Sequence, residues 1–181
     1  AGARGDAAPG RPYEVPEVRD RQVIIAGFGR FGQIVGRVLR ARRIGFTALE
    51  ISPAQVDFVK KFGSKVYYGD ASRVELLRAA GADRAAIFVL AIDDMDASLR
   101  TAEAVTRHFP HLKIFARARN RTHAYKLMEL GVRVIRRETL LSSLDIAREV
   151  LQGLGLPEDE AERTVETFRR HDERRLQAHY E

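Results

Sequence analysis

The run Val23-Ile24-Ile25-Ala26-Gly27-Phe28-Gly29-Arg30-Phe31-Gly32 narrows the possible folds more than any other stretch of this chain. An apolar segment breaks into Gly-x-Gly-x-x-Gly and then opens a helical pattern, with Ile34, Val35, Val38 and Leu39 at helical spacing. Such an order serves a nucleotide phosphate. Gly27 allows the tight turn after a buried strand, Gly29 lets backbone approach a pyrophosphate, and Gly32 lets the helix lie close to the sheet. The first N–H groups of that helix have no intrahelical partner and aim, with the helix dipole, at an anion. Glu50 stands 18 residues beyond Gly32, at the end of the apolar run from Phe46. A carboxylate there can accept from ribose hydroxyls and would repel a 2′-phosphate, which favours NAD(H), ATP or AMP over NADP.

From residue 22 onward, short β-rich runs alternate with helical segments. The pattern predicts strands at 22–26, 46–50, 65–68, 86–91, 112–116 and 132–135, and helices at 32–43, 53–62, 73–80, 95–108, 121–131 and 138–153. Six strands interleaved with helices give an α/β fold: a six-stranded, doubly wound parallel sheet of Rossmann type. A charged helical extension follows from Pro157 to about Tyr180, with the sparse apolar residues Ala161, Val165, Phe168 and Leu176. So few apolar side chains predict a helix laid across a surface or another subunit. Residues 1–20, rich in Gly, Ala, Pro and charge, read as a flexible linker. Residues 21–154 read as the nucleotide-binding domain and 155–181 as the extension.

Composition removes several classes of function. With 181 residues and no cysteine, the chain has neither disulfides nor thiolate chemistry. Its 45% hydrophobic content suffices for a core, and a formal net charge of +6 suits an anionic partner. No apolar run nears the roughly 18 residues of a membrane span, and the start is unlike a signal peptide, so a fragment soluble by itself is expected. The basic residues follow no helix-turn-helix or stacking-aromatic pattern, so no nucleic-acid partner is expected.

Ligands of such a sheet bind at the strand carboxyl ends. The candidate nucleotide site there is Gly27, Phe28, Gly29, Arg30, Phe31, Gly32, Glu50, Ile51, Asp70, Ala71, Ala91, Ile92, Asp93 and Arg117. Arg30 can pair with phosphate. Asp70 either caps helix 73–80 or lies near the adenine. Asp93, Asp94 and Asp96 invite a metal, yet Asp94 and Asp96 serve equally as caps of the next helix, so no metal is expected. Arg117, Arg119 and Arg121 alternate at the fifth strand end, where arginine forks recognise carboxylate or phosphate. His108, His111, His123, His171 and His179 stand in no ligand spacing and are read mostly as surface residues. The serines lie in no nucleophile elbow, and little sequence remains for a substrate domain. A domain that senses ligands without transforming them, and so not an enzyme, is the reading that survives.

The motifs also occur as an ordered set. The glycine loop through Gln33, then Lys61-Phe62-Gly63, Tyr68-Gly69-Asp70-Ala71-Ser72, Ala91-Ile92-Asp93-Asp94, His108-Phe109-Pro110-His111-Leu112, Ala116-Arg117-Ala118-Arg119 and Arg137-Glu138-Thr139 resemble the regulatory KTN or RCK domain of Kef-type potassium efflux systems. The resemblance spans about residues 20–175. It implies a Rossmann-fold homodimer on the cytoplasmic side of the inner membrane, joined in the native chain to an N-terminal cation:proton antiporter domain. It further implies NAD(H) or AMP as nucleotide, glutathione as a ligand that holds efflux shut, and bulky glutathione adducts that open it. A flavodoxin-like quinone-reductase ancillary subunit can accompany such domains. The implied glutathione pocket at the dimer interface uses Gln33, Arg37, Asn120, Arg137 and Asp172, with Phe62 where an adduct pushes and residues 155–181 at the interface. The family pattern has asparagine where Asp172 stands and an acid where Asn120 stands, an exchange that changes local charge. Two other readings remain: a nucleotide-gated subunit of potassium transport without glutathione control, and a small NAD-dependent oxidoreductase.

Overall fold

A computed structural model of the chain describes residues 22–61 and 65–180. Six strands, β1 (Val23–Ala26), β2 (Phe46–Glu50), β3 (Lys65–Tyr68), β4 (Ile87–Leu90), β5 (Lys113–Ala118) and β6 (Val134–Arg137), form one parallel sheet in the order β3-β2-β1-β4-β5-β6. Between them run α1 (Arg30–Ala41), α2 (Pro53–Lys61), α3 (Val74–Ala79), α4 (Met95–His108) and α5 (Arg121–Glu129), with α6 (Leu140–Gly153) and α7 (Glu158–Tyr180) following. Strand order reverses between β1 and β4, which pair from Val23↔Ile87 to Ala26↔Leu90. That reversal opens the crevice in which such sheets bind ligands.

Both faces of the sheet are apolar because helices cover both. Successive β1 side chains alternate between two cores, as the pleat dictates. Val23 and Ile25 join Phe28, Phe46, Ala48 and Val59 in the core beside α1 and α2, whereas Ile24 and Ala26 join Leu49, Leu77, Phe88, Leu90, Val105 and Leu127 in the larger core. Gly36 brings α1 tight against the sheet: a Cβ there would stand 2.9 Å from both the Phe28 and Phe46 rings, which stack with centroids 5.5 Å apart.

Two departures from the sequence reading have local causes. Helix α1 starts at Arg30, earlier than residue 32, with Gly29 as its N-cap. The fifth strand extends to Ala118 and the sixth begins at Val134, later than 132. Val132 belongs instead to the stop signal of α5: its N–H donates to Leu127 O, that of Gly131 donates to Met128 O, and Gly131 has φ +87°. This is the Schellman arrangement, and buried Val132 supplies its apolar contact. Helix α7 takes the first of its two expected placements, across a surface of its own chain made by α6 and α5. Ala161 and Leu176 are buried, and Leu176 enters the larger core, so two well-placed apolar residues suffice to seat a polar helix. Phe168 stays 55% exposed.

Among the described residues no helix is long and apolar enough to cross a membrane. Residues 1–20 and Phe62 lie outside the described residues.

Candidate functional site

At the carboxyl ends of the strands lies a cavity of about 520 Å³. Its lining includes Gly27, Gly29, Arg30, Phe31, Glu50, Ile51, Asp70, Ala71, Ala91, Ile92, Asp93 and Arg117 from the sequence-derived set. Phe28 and Gly32 shape the loop without lining the cavity. Phe28 turns its ring into the core and is fully buried. Gly32 cannot be larger, because a Cβ would stand 2.2 Å from Gly27 O. Gly27 takes φ +88°, and a Cβ there would meet Ala91 O at 2.7 Å. By contrast Gly29, which lines the cavity, has nothing within 4 Å of a Cβ position. A side chain there would enter the cavity in front of the N-terminus of α1, a helix that carries no acid in its first turn and no side-chain cap.

Glu50 fixes that loop. Its Oε2 accepts the Phe28 N–H at 2.5 Å and its Oε1 accepts the Ser52 N–H at 3.1 Å. Each carboxylate oxygen keeps a lone pair for a ribose hydroxyl. Gln33 supports the same loop, donating from Nε2 to Phe28 O at 3.2 Å and to Gln55 Oε1 at 3.1 Å. Gln33, assigned by resemblance to the glutathione pocket, therefore stands beside the nucleotide loop.

Asp70 does not cap α3. The N-cap of that helix is Arg73, without a side-chain hydrogen bond. Asp70 Oδ1 instead accepts from Ser72 N at 2.9 Å and Ser72 Oγ at 2.7 Å. The Ser72 backbone N–H is the main cause holding this carboxyl below its usual range. The local Asx turn wins because donors two residues away cost less chain entropy than a longer reach. Asp94 is the N-cap of α4, accepting from Ala97 N at 2.8 Å, and Asp96 occupies its first turn. Asp93 is committed elsewhere: Arg117 Nη2 donates to its Oδ1 at 2.7 Å, which lowers the carboxyl pKa. Among the described residues no three His, Cys, Asp or Glu side chains gather as a metal group.

Arg117 departs most from its expected form, an open fork at a strand end. Only 5% exposed, it spans three strand ends from the interior: Nη2 also donates to Glu138 Oε2 at 2.5 Å, and Nη1 to Ala91 O at 3.4 Å. Burial acts to lower its pKa, but the hydrogen bonds to Glu138 and Asp93 outweigh burial and raise it. Its buried Nε has no hydrogen-bond partner, and its guanidinium lies 6.0 Å from the Phe31 ring centroid. Arg119 lies beyond the strand and is exposed, so the alternating arginines do not act as one fork. Sequence reasoning missed Leu49, Ser52, Gln55, Gly69, Asp94, Ala97 and Glu138 as lining residues. Leu49, Ser52, Gly69 and Asp94, each within two residues of a named site residue, and Glu138, one past β6, carried a positional signal; Gln55 and Ala97 did not.

A second polar cluster forms where β6, α5 and α7 meet. Arg137 Nη2 lies 2.5 Å from Asp172 Oδ2, and Arg121 Nη1 donates to Asp172 Oδ1 at 2.9 Å. Burial acts to raise the Asp172 pKa, but Arg137 and then Arg121 hold it below the ordinary carboxylate range. Asn120 is the N-cap of α5, accepting from His123 N at 2.8 Å. His123 is fully buried, against the surface reading: Nδ1 accepts the Arg119 N–H and Nε2 meets Ser98 Oγ, both at 2.9 Å. With Nδ1 accepting, neutral His123 carries its proton on Nε2 and donates to Ser98. Burial, then the charges of Arg117, Arg119 and Lys126, lower its pKa. Arg37 lies exposed on α1.

Residues 23–137 match the family model of the TrkA-N domain. The chain belongs to the TrkA-N domain family. Beyond this TrkA-N unit, residues 142–181 match the model of the potassium efflux system KefB C-terminal domain, in agreement with the Kef-type resemblance. The chain is 44% identical over 165 residues to the glutathione-regulated potassium-efflux system protein KefC of Salmonella arizonae, covering 90% of this chain and 27% of that protein. The TrkA-N chain thus spans about a quarter of that relative's length. Its fold is similar to the Kef CTD of Shewanella denitrificans in AMP-bound form, with TM-score 0.81, 44% identity and coverage of 88% of this chain and 98% of that one. The TrkA-N domain of the inner membrane protein ybaL from Escherichia coli shares the fold at TM-score 0.64 and 24% identity, covering 74% of this chain and 96% of that one.

Proposed function

We propose that this chain is the cytosolic ligand-sensing domain of a potassium efflux (K⁺/H⁺ antiport) system, binding an adenine nucleotide and gated by glutathione and its adducts. The observation that carries the nucleotide part is the crevice itself: glycine backbone at Gly29, the open N-terminus of α1, and Glu50, which lines the same cavity and accepts the Phe28 N–H. Phosphate would lie on the helix N-terminus near Arg30, and ribose hydroxyls on Glu50. The AMP of the Shewanella denitrificans domain supports AMP as one occupant, and NAD(H) is the other. The nucleotide acts as a bound effector, and the domain is not an enzyme.

The glutathione part rests on Arg137 and on the likeness to KefC. A tripeptide with two carboxylates suits guanidinium forks, and Arg37, Arg137, Asn120, Asp172 and Gln33 are its proposed surroundings. Within one chain α1 packs on β1, whereas α7 packs on α5 and α6. A pocket using both Arg37 and Arg137 therefore draws on two chains, which makes the active unit a homodimer. Exposed Ile34 and Val38 flank Arg37 on α1, and Ile146 and Val150 on α6 and Leu154 at its C-cap are exposed, an apolar surface suited to such an interface. In the full protein residues 1–20 would link to a membrane antiporter domain at the cytoplasmic face of the cell membrane, 155–181 would contribute to the interface, and a quinone-reductase-like subunit would dock.

The test is a thermal-shift titration with glutathione and a bulky S-conjugate on wild type and Arg137→Ala. Stabilisation of wild type that the variant loses is expected. Nucleotide binding without any glutathione shift would favour a nucleotide-only potassium-transport sensor.

A further inference from the structure

We propose that Asp172 is an internal competitor for the glutathione site: its carboxylate occupies the guanidinium of Arg137, so a ligand carboxylate reaches Arg137 only by displacing it and thereby releases α7 from β6. The inference rests on the glutathione reading above and goes beyond it in naming what the ligand must move.

Three observations carry it. Arg137 and Asp172 are sequestered together, with side chains 12% and 21% exposed, while Arg121 on the rim is 44% exposed. Asp172 is the carboxylate paired with Arg137, and the adjacent Glu138 is committed to Arg117. The contact is shared: Arg137 Nη2 meets Oδ2 of Asp172 while its Oδ1 accepts from Arg121. An incoming carboxylate free to align would make the bidentate pair that the tethered one does not. Two guanidinium groups face a single carboxylate here, so the cluster retains positive charge for an external anion.

Displacement has a structural consequence. The Asp172 ion pairs tie the C-terminal half of α7 to β6 and α5, and Leu176, one turn on, is its buried anchor. Occupied Arg137 leaves that half of the helix held by Leu176 and by the more exposed Arg121 pair, without its tie to β6. The ligand's apparent affinity is scaled down to the fraction of molecules in which Arg137 is free of Asp172. Asp172→Asn keeps the shape and removes the competing charge.

The experiment is calorimetric titration of glutathione into wild type and Asp172→Asn, with amide hydrogen exchange across residues 168–176 of wild type with and without glutathione. The expected results are at least tenfold tighter binding to the variant and faster exchange of these amides in liganded wild type. Equal or weaker binding to Asp172→Asn overturns the competition while leaving the glutathione reading intact. Glutathione protection of the 168–176 amides in wild type also overturns it, and this readout needs no variant to fold. Binding to neither protein overturns the glutathione reading and the competition with it.

Discussion

Glu50 holds the glycine loop through the backbone of Phe28: Oε2 accepts that N–H at 2.5 Å while the Phe28 ring is buried against Phe46 on the far side. One residue thus anchors the loop to the core through its side chain and to the ligand site through its main chain. In Glu50→Gln only one side-chain oxygen remains to accept, so either Phe28 N–H or Ser52 N–H loses its partner. Hydrogen bonds to charged groups contribute about 1.5–3 kcal/mol, so AMP affinity measured by calorimetry should fall by about tenfold or more. Unchanged affinity would remove Glu50 from the site.

Two glycines of the same loop separate fold from binding. Gly32→Ala drives a Cβ against Gly27 O, where it would stand at 2.2 Å, and backbone cannot yield as a side-chain tip does. Overpacking of this kind costs about 1–3 kcal/mol, or about 2–9 °C in Tm for a chain of this size. Gly29→Ala meets nothing within 4 Å and should leave Tm within a degree or two of wild type. Its methyl group enters the phosphate space, so AMP binding should weaken without a stability change.

Arg117 is a tie between strand ends. Arg117→Met leaves Glu138 and Asp93 without their partner. Removing one member of a buried pair costs about 3–5 kcal/mol, and because Asp93 is 72% exposed the expected loss is nearer about 2–3 kcal/mol by urea denaturation. Arg117→Lys, with a single ammonium, should recover part of it.

These residues mark how far the sequence could be read. The glycine loop, Glu50 and the strand-helix alternation are local signals, and they sufficed for the sheet and for most of the cavity lining. Arg117 looked like an open fork because its two acid partners come from beyond β4 and beyond β6, 24 and 21 residues away. Of the two roles open to Asp70, the helix cap fails because local chemistry offered Ser72 first, and the residue lines the cavity. Helix α7 looked unseated because Leu176, its buried anchor, enters a core assembled from other elements. For Arg117 and α7 the missing information was long-range pairing; for Asp70 it was the choice between two local partners.

His123 supplies the pH dependence. Its folded pKa lies below the ordinary 6.5, so the native state resists the proton more than the unfolded chain does. That contribution to stability is fully present above about pH 6.5 and declines as pH falls from there through the folded pKa. The lowered carboxyls Asp70, Asp93 and Asp172 act further down, their contribution present above about pH 4 and lost as pH falls through their folded values. Chemical denaturation from pH 8 to 4 should show an acid loss beginning near 6.5 in wild type, absent in His123→Gln. A flat wild-type profile to pH 5 would contradict this assignment.

The central claim is that the crevice between β1 and β4 holds an adenine nucleotide. Calorimetric titration of AMP into the purified chain tests it most directly, with Gly29→Ala in parallel. The expected result is saturable binding of one AMP per chain, weakened in the variant at unchanged Tm. No saturable binding to wild type at millimolar AMP, or equal binding to both proteins, would contradict it.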